Sequence, residues 1–524
     1  NGGEFHKTAK SWLYGAATNK NISFVINGGT HYGYVNEPEK TVDTIRPYGD
    51  PIVVKGGSFN FDPTNWCDND SKVVKNQETA LWDVVGKNYV AQVGDVKYES
   101  VQDAVNAAEN GAILIFLADV EQTDGVLITD KNITVDLNDK TFAVTNGANT
   151  NNRNFKINGS SVVTIKNGTM VAQGEYSTGA YGTVRTEGTA NVTLEDLVLY
   201  NYRGNGLNVK ALSGTTVTIS NTEIYSVYGG GVEAAGGEVV LDNVTVEQKG
   251  MYTAPYNSMA ISVNGGGTVT VQSGTYSTEC ITAEEANNQG TSHGPWCAGV
   301  LNSGGKLIIN GGTFSNDNFG ENTLATAARG LIFGDTASVI TINDGTFNAL
   351  KSIIDYQNNL GIQPNPNIVI NGGDFSANPA VVASYGGVVL ADGKVPAQGA
   401  NGRWTLVDAI TTEAGLVAAL AEGGNITLGA DITVSAPVVV PQGVTATLDL
   451  NGKTLASADE ASTYALNNHG TLTIKGNGTI NARGIYNGYG NGSDNVATAK
   501  LTIENGTFNA KGSNGGAAIF NQWW

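Results

Sequence analysis

Eight aromatic side chains stand in polar, variable stretches of the chain: Tyr200, Tyr202, Tyr225, Tyr228, Tyr252, Tyr256, Trp296 and Tyr356. A ring in such company either covers the flank of the element before it or offers an apolar face to a sugar or peptide. Tyr200, Tyr202, Tyr252, Tyr256, Trp296 and Tyr356 are the candidate ligand-binding residues on this reading. Catalytic groups are harder to find. Glu195, Asp196, Asp242, Glu247 and Asp344 are scattered, and Arg185, Arg203 and Arg329 lie near strand or loop edges. No acidic cluster lines up with a basic residue at the repeat spacing described below, so no acid–base pair is expected. The four histidines (His6, His31, His293 and His469) are far apart in sequence. Asp68-Asn-Asp70 lacks the glycine and terminal glutamate of a calcium loop. No phosphate-cradling loop and no nucleophile elbow occurs. The expectation is therefore no catalytic residue, no metal and no cofactor.

Of the three cysteines, Cys280 and Cys297 share one polar insertion and are a candidate disulfide, which leaves Cys67 over. The whole chain has 524 residues, a formal net charge of −19 and only 15% charged residues. Such an acidic balance opposes binding to phosphate backbones and anionic membranes. No apolar run approaches the roughly 20 residues that span a bilayer. The 69 glycines follow no period of three, which excludes a collagen helix. A charge-poor chain rich in Gly, Asn, Thr and Val points instead to many short strands joined by tight turns.

The elements that carry the aromatics come from a local repeat. An alternating apolar strand runs into an Asn/Gly turn, a small polar residue and an apolar mark. Instances are Phe24-Val-Ile-Asn-Gly-Gly-Thr-His31, Thr268-Val-Thr-Val-Gln-Ser-Gly-Thr-Tyr276 and Lys306-Leu-Ile-Ile-Asn-Gly-Gly-Thr-Phe314. Val339-Ile-Thr-Ile-Asn-Asp-Gly-Thr-Phe347 and Asn367-Ile-Val-Ile-Asn-Gly-Gly-Asp-Phe375 follow. Within a run, successive marks are between 22 residues (Ile224 to Val246) and 38 residues (Tyr276 to Phe314) apart. That range suits one coil of a β-solenoid, the longer steps carrying loop insertions. A shorter strand precedes each copy, as in Gly231-Val-Glu and Ala260-Ile-Ser-Val. The loops after the mark then stack on one side, the side that holds the aromatics. His31 takes the place of an aromatic mark and reads as a packing residue. Asn27, Asn310, Asn343 and Asn371 fall at equivalent turn positions, where a backbone at φ > 0 is needed. They are expected to form a ladder, each side chain bonding the backbone of the next coil.

A larger repeat lies above this one. Lys97 to Gly111 reads as an amphipathic helix with a glycine stop, and it is followed by Ile133-Thr-Val-Asp-Leu-Asn-Asp-Lys-Thr-Phe142. Thr412 to Gly424 repeats that helix, and Ala446-Thr-Leu-Asp-Leu-Asn-Gly-Lys-Thr-Leu455 repeats the strand, with Leu137 and Leu450 offset by 313 residues. Phe59-Asn-Phe-Asp-Pro with Trp82 likewise matches Phe375-Ser-Ala-Asn-Pro with Trp404. The expected organisation is the C-terminal part of a first module (1–87), a complete module (88–406) and the N-terminal part of a third (407–524). A short helix is expected to cap the opening of a module.

These motifs resemble the pectate-lyase-like right-handed parallel β-helix superfamily. More narrowly, the opening at 93–142 and the Asn-Gly-Gly-Thr-Phe coils are similar to adhesin-like tandem-module surface proteins of gut bacteria. The resemblance implies an all-β fold of right-handed parallel β-helix modules in tandem. It also implies an extracellular, cell-surface location. With no catalytic set in view, the expected function is a non-enzymatic stalk or adhesin. Its ligand would be a glycan or a host or cell-surface ligand, held by loops on one flank. Its partners would be glycans, surface proteins and neighbouring modules of the same chain, with no nucleic acid and no membrane insertion. The alternatives are a polysaccharide-degrading β-helix enzyme and a tailspike-like virion fibre component.

Overall fold

Strict alternation of apolar and polar residues turns one face of a strand inward, and most of this chain obeys it. The computed structural model describes residues 3–6, 13–14, 24–32, 45–46, 52–146, 153–174, 182–202, 208–226, 230–249, 259–280, 299–318, 330–335, 337–349, 352–356, 367–381, 388–488, 499–512 and 517–521. The described chain is all-β with long parallel-strand sheets and two short α-helices. It divides into two compact units, 1–108 with 114–118, and 109–113 with 119–524.

In the first unit, Glu4–His6, Phe24–Tyr32 and Ile52–Phe59 pair in parallel, which places Phe5, His31 and Phe59 in one register row. His31 is buried and stacks on Phe59 with ring centroids 4.6 Å apart, so it packs where an aromatic would. Burial holds its pKa below the usual imidazole value, against a bond to the Gly28 carbonyl that raises it. The sheet then turns antiparallel, with Trp82–Gly86 pairing Phe59 to Trp82. Helix α1 spans Val101–Ala107 and packs on the hairpin Ala91–Val93/Val96–Tyr98. It is shorter than the Lys97–Gly111 stretch suggests. Ser100 Oγ accepts the Asp103 amide and starts the helix, while Lys97 and Tyr98 belong to the hairpin. An N-cap of this kind satisfies a backbone donor that would otherwise lack a partner.

In the second unit, the chain passes alternately between two parallel sheets. The first holds Asn132–Asn146, Val162–Gly174, Asn191–Asn201, Thr216–Ser226 and Glu238–Lys249, each hydrogen-bonded to the next. Later passes split each long strand in two, as in Lys306–Ile309 with Thr313–Asn318. The second sheet holds nine short strands, from Val126–Thr129 through Phe155–Asn158, Val184–Thr186, Val209–Leu212 and Val232–Ala235 to Ile354–Tyr356. Equal positions pair with equal positions. Val192, Val217, Val239, Val269, Leu307, Ile340 and Ile368 form one buried row. The marks form another: Phe142, Met170, Leu199, Ile224, Val246, Tyr276, Phe314, Phe347 and Phe375.

The last four marks are fully buried rings stacked at centroid spacings of 4.9, 5.3 and 5.0 Å. Each such contact adds about 0.5–1.5 kcal/mol beyond the area it buries. The stack depends on the turn before it. Gly312, Gly345 and Gly373 have φ of 101°, 132° and 129°. A Cβ on Gly345 would meet the Gly312 carbonyl at 3.0 Å, so both backbone angle and close approach require glycine. In the earlier, unsplit strands, Asn167, Asp196, Asn221 and Asn243 take the left-handed conformation instead.

The run ends as the first unit's sheet does, with an antiparallel strand: Trp404–Ile410 pairs Trp404 with Phe375. The Arg403 guanidinium bonds Asp374 at 2.5 Å and Asn348 Oδ1 at 2.9 Å. Helix α2, Glu413–Glu422, follows; Thr412 Oγ1 caps its start and Gly423 (φ 87°) its end. Its Leu416 and Leu420 are buried in a core shared with Leu428, Val434 and Val440. Three further parallel sheets are opened by Gly424–Leu428, Ile432–Val434 and Val438–Val440, against which α2 packs. Local bonds recur here. Asn138 N bonds Asp136 at 2.9 Å and Thr141 N bonds Asp119 at 2.8 Å. Asn451 N bonds Asp449 at 2.8 Å and Thr454 N bonds Asp431 at 2.7 Å.

Candidate functional site: an aromatic flank and a charged row

Tyr200 and Tyr225 point outward because their neighbours point in. Leu199 and Asn201 flank the first and are buried, as are Ile224 and Ser226 beside the second. Parallel pairing sets the two tyrosines directly opposite each other. Their rings stack with centroids 5.0 Å apart, and Tyr202 stacks on Tyr200 at 5.7 Å. Tyr202 keeps 43% of its surface exposed. Three rings thus form one continuous, partly wet apolar face. The Tyr225 hydroxyl donates to Glu223 Oε2 at 2.7 Å. That bond, with burial and the Glu247 charge, pushes the phenol up to about 12, so it stays a neutral donor. Burial, then the Tyr200 hydroxyl, raises the Tyr202 phenol as well.

Buried amides hold this face in place. Asn208 Nδ2 donates to the carbonyls of Leu199 at 3.2 Å and Tyr225 at 3.3 Å, tying both strand ends together. Asn154 does the same one level earlier, donating to the Phe142 and Val171 carbonyls. A buried amide that bonds carbonyls where the chain leaves the sheet satisfies groups no ladder reaches. Nothing in the Gly206-Leu-Asn-Val motif singles out Asn208 for this; only its burial within the turn does.

Of the other candidates, Tyr252, Tyr256, Trp296 and Cys297 lie outside the described residues, and the Tyr356 and Cys280 side chains do too. Cys280 closes the strand Gly274–Cys280. Cys67 is a free, half-buried thiol, raised by burial and by Asp68 and Asp62. Asn343 Nδ2 donates to Asn310 Oδ1, and Asn371 Nδ2 to Asn343 Oδ1, both at 2.7 Å. Asn310 continues the line to Gln272 Oε1 at 2.9 Å. These bonds run from side chain to side chain, and the left-handed residue is the glycine two positions on. Asn27 sits opposite Gly56, where the register shifts.

Charged residues are more ordered than their spacing in sequence suggests. Lys156, Arg185, Lys210 and Glu233 pair in sequence across four short strands, so Arg185 is the centre of a strand and not an edge residue. Lys156 Nζ lies 3.1 Å from Glu187 Oε2, and Arg185 Nε 2.6 Å from Glu187 Oε1. Lys210 Nζ lies 2.6 Å from Glu233 Oε2. Burial raises the Glu187 carboxyl, but Lys156 and Arg185 outweigh it and hold the group below its usual range. Arg153, at 2% exposure, adds a fourth guanidinium or ammonium. Burial, with Arg185 nearby, lowers its pKa to about 10. Acidic and basic groups therefore do align at repeat spacing, on the short strands. Variable loops between those strands hide the alignment in sequence. On the other sheet, Asp136, Lys166, Glu195, Ser220 and Asp242 share a second row.

Among the described residues, no group of three or more His, Cys, Asp or Glu side chains could hold a metal ion. Among them, too, no helix is long and apolar enough to cross a membrane. No protein-family model, curated protein or solved structure matches the chain.

Proposed function

We propose that this chain is a non-enzymatic, extracellular β-helix rod that binds a glycan or other surface ligand through its aromatic flank. In this reading the parallel sheets close into right-handed coils, grouped as modules 1–87, 88–406 and 407–524. The carrying observation is the Tyr202–Tyr200–Tyr225 stack, three partly exposed rings held at one edge of consecutive strands. A row of rings about one strand spacing apart matches the apolar face of a sugar chain, and buried amides pre-organise it. Each coil adds about 5 Å of length, so a rod of this kind carries its flank well away from a cell surface.

The test is a glycan and mucin array probed with the whole chain and with two triple variants. One replaces Tyr200, Tyr202 and Tyr225 by Ala; the other replaces Tyr252, Tyr256 and Trp296. Expected is binding by the unaltered chain and a loss of about tenfold or more in the first variant, each lost stacking contact being worth about 1 kcal/mol. No binding by the unaltered chain, or release of oligosaccharides from the arrayed glycans, overturns the reading.

A further inference from the structure

We propose that the ring cluster Tyr464–Tyr486–Phe520, with Arg483 stacked on it, is a second binding face, one that takes a carboxylate-bearing saccharide. It lies on the short-strand sheet that Val438–Val440 opens, apart from the Tyr200–Tyr225 flank, and does not rest on that flank binding a ligand.

Placement is the first argument. Leu466–Asn468, Ile485–Asn487 and Ile519–Asn521 follow Val438–Val440 in parallel, and Tyr486 pairs with Phe520. Ile485 is fully buried, so Tyr486 beside it faces outward. The Tyr486 and Phe520 rings stack with centroids 5.7 Å apart. Tyr464 meets Tyr486 edge-on at 5.8 Å and lies 6.5 Å from Phe520. Phe520 keeps 43% of its surface exposed, and Val439, in the same register row, keeps 40%. The rings shield one another and still present an apolar face to solvent.

Charge is the second. The guanidinium of exposed Arg483 lies over the Tyr464 ring, 5.1 Å from its centroid. The backbone brings the two together, since the Arg483 amide donates to the Thr463 carbonyl at 3.0 Å. Among the described residues no carboxylate pairs with this guanidinium. Glu460, three residues before Thr463, goes to Lys511 instead. The row Lys156, Arg185 and Lys210 differs on this point, because each of those cations already meets Glu187 or Glu233. In a chain that carries −19, an exposed arginine held by a ring and left without an acid is a pre-oriented oxyanion site.

The third argument selects the ligand class. The rings offer a face and not a pocket: the small cavity beside Ile485 is lined by Ile480, Phe508 and Ala518, and by none of the three rings. A peptide anchors by setting a side chain into a pocket, whereas a sugar lays its apolar face flat on a ring. Tyr464 touches both Arg483 and Tyr486, so the place for a carboxylate and the place for a sugar ring adjoin. Burial, then Tyr464, raises the Tyr486 phenol, which therefore stays a neutral hydroxyl able to bond a sugar oxygen.

Binding of the whole chain to two matched pairs and one control tests this. The pairs are sialyllactose against lactose and a hyaluronan oligosaccharide against its methyl ester; the control is poly-glutamate. At least one acidic sugar should bind about fivefold or more tighter than its neutral partner, because the contact to Arg483 is charge-assisted. The two pairs separate a sialic from a uronic source. R483Q should erase that preference and leave neutral-sugar binding unchanged, a reading that a misfolded variant would not give. Y486A/F520A should weaken both members of the binding pair about tenfold or more. Replacement of Tyr200, Tyr202 and Tyr225 by Ala should leave the acid preference intact. No binding of either acidic sugar overturns the proposal, as does an R483Q variant that keeps the preference. Loss of the preference in the Tyr200 triple variant places the site on the other flank and overturns it too. Poly-glutamate binding as tightly as the acidic sugars overturns the ligand class.

Discussion

Phe347 lies between Phe314 and Phe375, with both neighbours about 5 Å away and no exposed surface on any of the three. Truncation there removes a side chain and interrupts a stack, leaving a cavity that rigid strands above and below cannot close. Phe347→Ala should cost about 3–5 kcal/mol, and Phe347→Leu clearly less. In a repetitive stack each level contacts only its neighbours. Hydrogen exchange should therefore accelerate at Thr313–Asn318 and Thr346–Asn348, while the sheet at Ile52–Phe59 keeps its protection. Equal acceleration in both places would show that the stack does not act locally. This row was legible in the sequence because a mark of fixed type follows a fixed turn. The charged row was not. Lys156, Arg185 and Lys210 sit on strands of three or four residues, too short to show a period, and the loops between them differ in length. Only pairing reveals that they are neighbours.

Helix α2 shows how much of an element can be read in advance. The stretch Thr412 to Gly424, read as a repeat of the earlier helix, encloses it, and in the structure Thr412 and Gly423 are its caps. The Lys97–Gly111 stretch runs past its helix at both ends: Ser100 is the N-cap, the preceding hairpin holds Lys97 and Tyr98, and the helix stops at Ala107. Glu413 does a second task at the start of α2. Its carboxylate accepts the Ser435 amide at 2.6 Å and hydroxyl at 2.7 Å, and these bonds hold its pKa below the usual carboxylate range. The helix is thus pinned to the loop between Ile432–Val434 and Val438–Val440. Thr412→Ala removes the cap and should cost about 1 kcal/mol, with Thr412→Ser nearly neutral. The check is amide exchange within α2 and at Val438–Val440. An unchanged rate in the alanine variant would mean that packing of Leu416 and Leu420 alone fixes the helix.

At the scale of the molecule, period and turn chemistry made the long parallel sheets legible, and the sequence alternation predicts which side of each strand is buried. The antiparallel closures at Phe59–Trp82 and Phe375–Trp404 were visible only as paired motifs, since pairing direction leaves no trace in alternation. The in-register rows carry one more consequence. Because Phe314 and Phe347 occupy the same position, the chain between them is a removable quantity. Deletion of residues 315–347 brings Phe314 onto Phe375 and leaves Asn348 beside Arg403, so every row closes again one level shorter. Such a deletion should fold with unchanged strand content by circular dichroism, whereas deletion of 315–331, about half a period, should not. If both fold equally well, register is not what holds the stack. In hereditary terms, unequal exchange between neighbouring repeats is harmless when it trades whole periods and damaging otherwise. The length of this molecule is then a counted number, free to drift by integers.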